Sequence, residues 1–513
     1  VMRMKELDHC SFGSHPIEAQ KNRGGFWPAN ERNLGRGVAW VALSHLVTIS
    51  MMLTPVKVLA ESTWLAGDHH IHSNNSVGWD ETSNPPKPIA GGDAIYTIEK
   101  NALMAREFGL SWMVATDHGG PNHSKLSMDR TYPALLAARL AVPEVIQFMG
   151  LELNTPGADH SSIIMPKSPE EASQLAAYEY RFDSREAWPA DPGRNEEARM
   201  IDALEFAKGL KTQPVVIAHH PSRSAADEGV FGLTTPAELR RWNDAAPNIA
   251  VGMEGAPGHQ AAELRQADDR GGYPAWVYAR GAYGRGFPTM GGFDQMTAIV
   301  GGFWDAMLGE GRRWWITANS DSHIHYTEGG IDFWPGEYSK TFVYAEKNHD
   351  AILESIRAGK MFVVTGGLIT ALDVTLSDGS SSVRLGEMLK TQRGSKLTLE
   401  IAVTDPDQMN PAGRNPSLNR VDLIMGVVSG RQPDVDVAQN STTSVIERIS
   451  RESFERSDRQ YVIRTQLTAE ADGYLRLRGT NTDSLEPEKD PLGEDPWSDL
   501  WFYSNPIFIE LVD

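Results

Sequence analysis

Cysteine is almost absent from this 513-residue chain: Cys10 is the only one. No disulfide can form within the chain, and any bound metal must be held by histidine and carboxylate. Positive charge is also scarce, with 48 Lys and Arg against 68 Asp and Glu and a formal net charge of −20. That argues against nucleic acid as a partner, since phosphate backbones require a basic face. A small phosphorylated substrate is still allowed, because bound cations make a site locally positive. Long apolar runs are missing as well. The mostly apolar stretch at residues 38–53 has 16 residues, short of the roughly 20 that span a bilayer, so no stable membrane span is expected. Arg32 and Arg36 precede it and Val58-Leu59-Ala60 follows it, which reads as a secretory signal peptide within a leader of residues 1–60. A periplasmic or secreted location is the corresponding expectation. No Gly-x-Ser-x-Gly elbow is present, and glycine-rich pieces such as 281–286 lack the Lys-Ser/Thr ending of a phosphate loop.

Histidine is what the chain does have, in a pattern. Five short segments hold most of it: Asp68-His69-His70-Ile71-His72, Thr116-Asp117-His118, Glu152 with His160, His219-His220-Pro221, and Asp321-Ser322-His323. Each lies at or near the end of a short apolar run. His70 and His72 are one residue apart, so on an extended chain they share a face and can reach one ion; Asp68 lies on that face and can orient a ligand. Glu152 is placed to bridge two ions. Adjacent strand residues point to opposite faces, so one of His219 and His220 is expected to be a ligand, with Pro221 favouring His220. Asp321 and His323 again share a face. Glu254 ends another run and is a candidate ligand or substrate contact. Ligands of nitrogen and oxygen without sulfur suit Zn, Mn or Fe, and the number of candidates allows two or three divalent ions. Such ions lower the pKa of a bridging water, so that hydroxide exists near neutral pH, and polarise the phosphoryl or carbonyl group under attack.

From residue 61 to 368 the pattern alternates strand and helix. Strands are predicted at 111–115, 145–149, 214–218, 249–253, 314–318 and 361–364, with helices at 94–108, 199–210 and 351–358. Such alternation predicts an α/β architecture with a mainly parallel sheet or barrel, its site at the carboxyl ends of the strands. From 369 to 513 period-two strands separated by Gly, Pro, Asp and Asn predict a β-sandwich.

Taken in order, these motifs resemble the polymerase and histidinol phosphatase (PHP) superfamily, over residues 61 to 368. The resemblance implies a distorted (β/α)7 TIM-like barrel with a di- or trinuclear site. Carried over by motif, His70, His72, Glu152 and Asp321 would hold a first ion. Glu152, His160 and His220 or His219 would hold a second, and His118 and His323 a third. The family usually adds an acid or a His a few residues after His-x-His for that third ion, for which Asp80 is the nearest carboxylate. The appended β domain and the leader look like a secreted branch that includes enzymes resembling carbaryl hydrolase. The expected activity is hydrolysis of a small-molecule ester, a phosphate ester first, with Asp117 or His123 assisting the leaving group. A carboxylic or carbamic ester at the same metals is the second expectation, and a ligand-binding protein with a residual metal site the third. Arg223, Lys125 and Arg280 are candidate phosphate contacts; Trp79, Trp276, Tyr278, Trp304 and Tyr326 are candidate pocket walls.

Overall fold

The computed structural model describes residues 61–80, 82–258, 288–491 and 494–512. The leader, with its apolar stretch, and His259, Trp276, Tyr278 and Arg280 lie outside the described residues. Nine strands frame the first part: β1 (Thr63–Asp68), β2 (Trp112–Ala115), β3 (Ile146–Asn154), β4 (His160–Ile164), β5 (Val215–Ala218), β6 (Ala250–Pro257), β7 (Trp315–Asn319), β8 (Ser339–Ala345) and β9 (Met361–Thr365). The strands expected from apolar runs are present. β3 and β6 extend past their runs, so Glu152 and Glu254 lie inside strands rather than after them.

Helices Ile98–Glu107, Glu197–Lys208 and His349–Arg357 fill the expected stretches. The first is typical in its causes. Thr97 caps it by accepting the Lys100 N–H at 3.1 Å, and Ile98, Ala102 and Ala105 form the apolar stripe it buries.

The sheet is mixed rather than mainly parallel. β1, β2 and β3 pair in parallel, as do β5, β6 and β7. β4 runs antiparallel to both β3 and β5, and β8 and β9 add antiparallel strands on the other side of β1. Residues 155–159, between β3 and β4, are too few for the crossover that a parallel pair needs. Past the end of β1, Ile71 bridges Ser322 beyond β7. The His72 N–H donates to Ser322 O at 3.0 Å, and the Asp321 N–H donates to His70 O at 2.9 Å. Thr341 of β8 bonds both backbone groups of Ala318 in β7, at 2.8 and 2.9 Å. β2 and β5 are buried along their whole length, as strands covered on both faces are. Gly67 in β1 is required by packing: a Cβ there would sit 1.9 Å from the Trp112 ring.

The second part is mostly antiparallel, with one parallel pair, Met388–Thr391 with Ile507–Leu511. Ala371–Ser377, Lys396–Thr404 and Gln460–Thr468 lie side by side in one sheet, burying alternate residues on the first two strands. Arg420–Val427 and Gly473–Thr480 pair in the other. Strand Trp501–Ser504 pairs with both Gly473–Thr480 and β9, so backbone pairing runs unbroken across the expected division at 368/369. Charge also crosses it: Arg476 is fully buried against Asp305, with Nη2–Oδ2 at 2.6 Å. The described residues belong to one compact unit. No helix among them is long and apolar enough to cross a membrane.

Candidate metal centre

Strand register brings the polar residues together. Ile71 is buried in the core, which turns His70 and His72 to the opposite side of the extended segment. Glu152 pairs across the ladder with Ser162, and Asn154 with His160. Glu152 and His160 are therefore diagonal neighbours on one face, with Oε1 and Nδ1 2.8 Å apart. His219 continues from β5 and donates its backbone N–H to His160 O at 3.0 Å, so its ring joins the same face. His220 leaves the strand at φ 23°, and Asp321 sits at φ 51°. Non-glycine residues rarely hold positive φ, and such strain concentrates at functional sites. At His220 it defeats the alternation rule, so that both adjacent rings reach Glu152, His219 through Nδ1 at 2.9 Å and His220 through Nε2 at 3.4 Å.

Three groups of donors result. In the first, His70 Nε2 lies 3.1 Å from His72 Nε2, 3.0 Å from Asp321 Oδ1 and 3.2 Å from Glu152 Oε1. His72 Nε2 lies 3.1 Å from Asp321 Oδ1 and 3.3 Å from Glu152 Oε2. Ligands of an ion bound at about 2.0–2.2 Å stand about 3–3.5 Å apart in tetrahedral geometry. The second group is Glu152 with His220, His160 and Asp159; the third is Asp93, His118 and His323, with His72 beside them. In the third, Asp93 Oδ2 is 3.2 Å from His118 Nε2 and 3.4 Å from His323 Nε2. Glu152 joins the groups, since its Oε2 is also 3.7 Å from His118 Nε2.

The donor atoms fit metal ions because buried polar atoms ordinarily find hydrogen bonds and several here have none. Both ring nitrogens of His220, Asp321 Oδ1 and Asp93 Oδ2 are buried without one. The far side of other rings is held instead. His70 Nδ1 faces Glu254 Oε1 at 2.7 Å, His72 Nδ1 faces Ser76 Oγ at 2.8 Å, and His323 Nδ1 donates to Asp321 O at 2.9 Å. Each contact leaves Nε2 aimed at the centre, the arrangement in which a neighbour fixes a ligand's tautomer. Burial opposes charge on Glu152, but His160 and His70 hold it well below the usual carboxylate range. Burial likewise opposes charge on Glu254, yet His70 and His219 bring it down to about 2.

Other expected residues fall elsewhere. Asp80 is not beside His72: it is on an exposed hairpin, Gly78–Asp80 with Lys87–Ile89, accepting the Thr82 N–H at 3.0 Å. Asp93, 21 residues beyond His72, takes the place expected of it. Its signal was a carboxylate after Gly91-Gly92, at a spacing no local period marks. Asp117 is buried under the loop, accepting the Ser73 N–H and hydroxyl at 2.5 and 2.7 Å. His123 is buried against Glu179 and the Asn75 carbonyl, so its ring faces away from the three groups. Asp68 orients no ring; it accepts the His70 and Ser320 N–H groups at 2.9 and 3.0 Å and fixes the backbone of both segments. Glu254, expected as ligand or substrate contact, is fully buried behind His70.

The centre opens into a cavity of about 750 Å³ lined by Asp93, His118, Glu152, His160, Asp321 and His323. Farther out are Asn154, Ser184, Arg185 and Arg223, with Leu233, Ile324 and Ile331 as the apolar wall. Arg223 pairs with Asp159. Lys125 is exposed and pairs with Asp129 of its own helical segment. Trp304 is core, its Nε1–H donating to Trp314 O at 2.9 Å, and neither Trp79 nor Tyr326 lines the cavity. No family model and no curated protein matches the chain.

Proposed function

We propose that this chain is a metal-dependent hydrolase of small phosphate esters, built as the superfamily resemblance implies. The observation that carries the reading is the convergence of three donor groups on Glu152, with buried lone pairs lacking hydrogen bonds, at the floor of one cavity. The ring of pairings from β1 through β7 and back to Ile71 supports a seven-stranded barrel, and the mostly antiparallel second part supports the β-sandwich. Two or three ions of Zn, Mn or Fe fit the nitrogen and oxygen donors. When bound, they would supply an acidified water and polarise the phosphoryl or carbonyl group whose phosphorus or carbon is attacked.

The chain's own residues do the rest. His70, His72, Glu152 and Asp321 hold one position, Glu152, His160 and His220 a second, and His118, His323 and Asp93 a third. Arg185 is exposed at the cavity wall and is placed to meet a phosphate oxygen, whereas Arg223 is committed to Asp159. His123 and Asp117 face other partners, and Asp159 is held ionised by Arg223, so none of the three is placed to protonate the leaving group. Among the described residues of the cavity, Arg185 is the one guanidinium apart from a carboxylate, and with Leu233, Ile324 and Ile331 beside it this favours a carboxylic or carbamic ester as the second reading. Export remains a proposal resting on the apolar leader.

The test is metal per chain together with turnover of p-nitrophenyl phosphate mono-, di- and triesters against carboxylate and carbamate esters. Two or three ions with phosphate-ester turnover lost in His70→Ala supports the reading. Turnover confined to carboxylate or carbamate esters replaces it with the second. Bound metal without turnover of any of them favours a ligand-binding protein, and a chain that binds no metal overturns it.

A further inference from the structure

His219 lies closer to the shared carboxylate than His70 or His220 does, yet its surroundings differ from those of His220. Both His219 nitrogens are engaged: Nδ1 with Glu152 Oε1 at 2.9 Å and Nε2 with Ser162 Oγ at 2.6 Å. The ring is pinned on its flat face by His70, centroids 3.6 Å apart and planes 21° apart. His220 has neither nitrogen engaged in a hydrogen bond.

The protons of this network can be placed one after another. Asn319 Oδ1 accepts the His69 N–H at 3.0 Å, so the other arm of the amide is the NH2 and a donor. That arm is 3.0 Å from His69 Nε2, and the Thr317 hydroxyl is 2.8 Å from the same atom. The Asn319 amide also donates to Thr317 Oγ1 at 3.2 Å and Glu254 Oε1 at 3.3 Å, and the Thr317 proton takes the 2.8 Å contact over Met253 O at 3.5 Å; His69 Nε2 accepts it, and the neutral ring carries its proton on Nδ1, 2.9 Å from Ser162 Oγ. Ser162, having accepted there, has one proton to give. Its choices are His219 Nε2 at 2.6 Å or His69 O at 3.1 Å, and the shorter contact to a ring lone pair wins. His219 Nε2 then accepts, so its proton is on Nδ1 and points at Glu152 Oε1. Every member is buried: His69, Ser162, His219 and Asn319 are 0% exposed and Thr317 is 1% exposed.

We propose that His219 is a positioning residue rather than a metal ligand. It is the last donor in a directed chain, Asn319 and Thr317 to His69 to Ser162 to His219, that fixes the tautomer at Glu152 and holds the shared carboxylate in its orientation. The proposal rests on the metal-site reading above. Its consequence is that the doublet His219-His220 divides two tasks between adjacent residues: His220 would give a lone pair to an ion, and His219 donates a hydrogen bond to the carboxylate shared by the donor groups. Residues that support a ligand in this way typically change metal affinity by about 10–100-fold, without changing how many ions bind.

The experiment uses the full chain and Zn2+ or Mn2+ alone, read as ions per chain at saturation, affinity by competition with a chelator, and 15N-histidine NMR of the Zn-loaded protein. His219→Ala keeps the wild-type ion count and loses about 10–100-fold in affinity. His219→Asn, whose amide places an N–H where Nδ1 stands, recovers most of that loss. Ser162→Ala, whose hydroxyl meets His69 and His219 but not Glu152, His160 or His220, shifts affinity in the same direction, and the NMR shows a protonated His219 Nδ1. His220→Asn loses one ion per chain. The loss of one ion in His219→Asn with a full count in His220→Asn would overturn the proposal. So would unchanged affinity in Ser162→Ala. A wild-type chain that binds no ion overturns the metal reading itself and this proposal with it.

Discussion

Two buried clusters of histidine and carboxylate lie at the same end of the strands, and only one is fit for a metal. Around Glu152, Nε2 atoms of His70 and His72 approach within 3.1 Å, and His220, Asp321 and Asp93 keep atoms without hydrogen bonds. Around His123, every atom has a partner: Glu179 and the Asn75 carbonyl take the ring nitrogens, Ser127 donates to Glu179 at 3.0 Å, and Ser124 meets Glu186. Burial and residue type are alike. The lesson is that lone pairs converging without protons mark a metal position, whereas a closed set of donors and acceptors marks a structural ion pair.

Glu152→Ala breaks the first cluster at its shared member. Metal content and hydrolysis should both collapse, beyond the roughly 100-fold that residues merely supporting a ligand control, as elemental analysis and ester assays would read. Glu179→Ala should do the reverse, leaving the ion count intact while costing about 3–5 kcal/mol of stability, because His123 stays buried without its partner; chemical denaturation measures it.

The contrast extends to pH. Burial lowers the His123 pKa, but Glu179 overrides it and the ring is pushed up to about 9. A group raised in the folded state lends stability that is complete below its unfolded value of about 6.5 and lost as pH rises through its folded value. Stability should fall by on the order of 3 kcal/mol between pH 6.5 and 10, and that slope should vanish in Glu179→Ala. Asp183 and Glu186, pushed up to about 6 and about 7 by burial and then by Glu179, act in a lower window, losing their contribution between about pH 4 and 7. Asp93→Asn should remove one ion per chain and Asp80→Asn none. Equal effects of the two would break the assignment of the third group. Glu254→Gln, which keeps the shape behind His70 but removes the charge, should weaken metal affinity by about 10-fold, at the low end for such support, with the ion count unchanged.

Local pattern made much of this legible. The one-residue spacing of His70 and His72 puts that pair on one side of an extended segment, and apolar runs marked the strands that carry the donors, whereas Asp321, at φ 51°, reaches the centre from a left-handed turn. Local pattern also misled where the chain departs from regular geometry. The turn at His220 lets two adjacent rings face Glu152, although strand alternation allows one. Asp117 and His123 look chemically apt in sequence, but their partners Ser73 and Glu179 come from elsewhere in the chain.

The sequence by itself determined which residue types could bind metal and which strand ends would carry them, because side-chain period and donor chemistry are local properties. Only the tertiary structure decided that Asp93 rather than Asp80 completes the third group, that Glu254 stands behind His70, and that His219 has both nitrogens engaged while His220 has neither. Those outcomes depend on which distant atoms come within about 3 Å and which buried atoms are left without a hydrogen bond, and no local spacing encodes either.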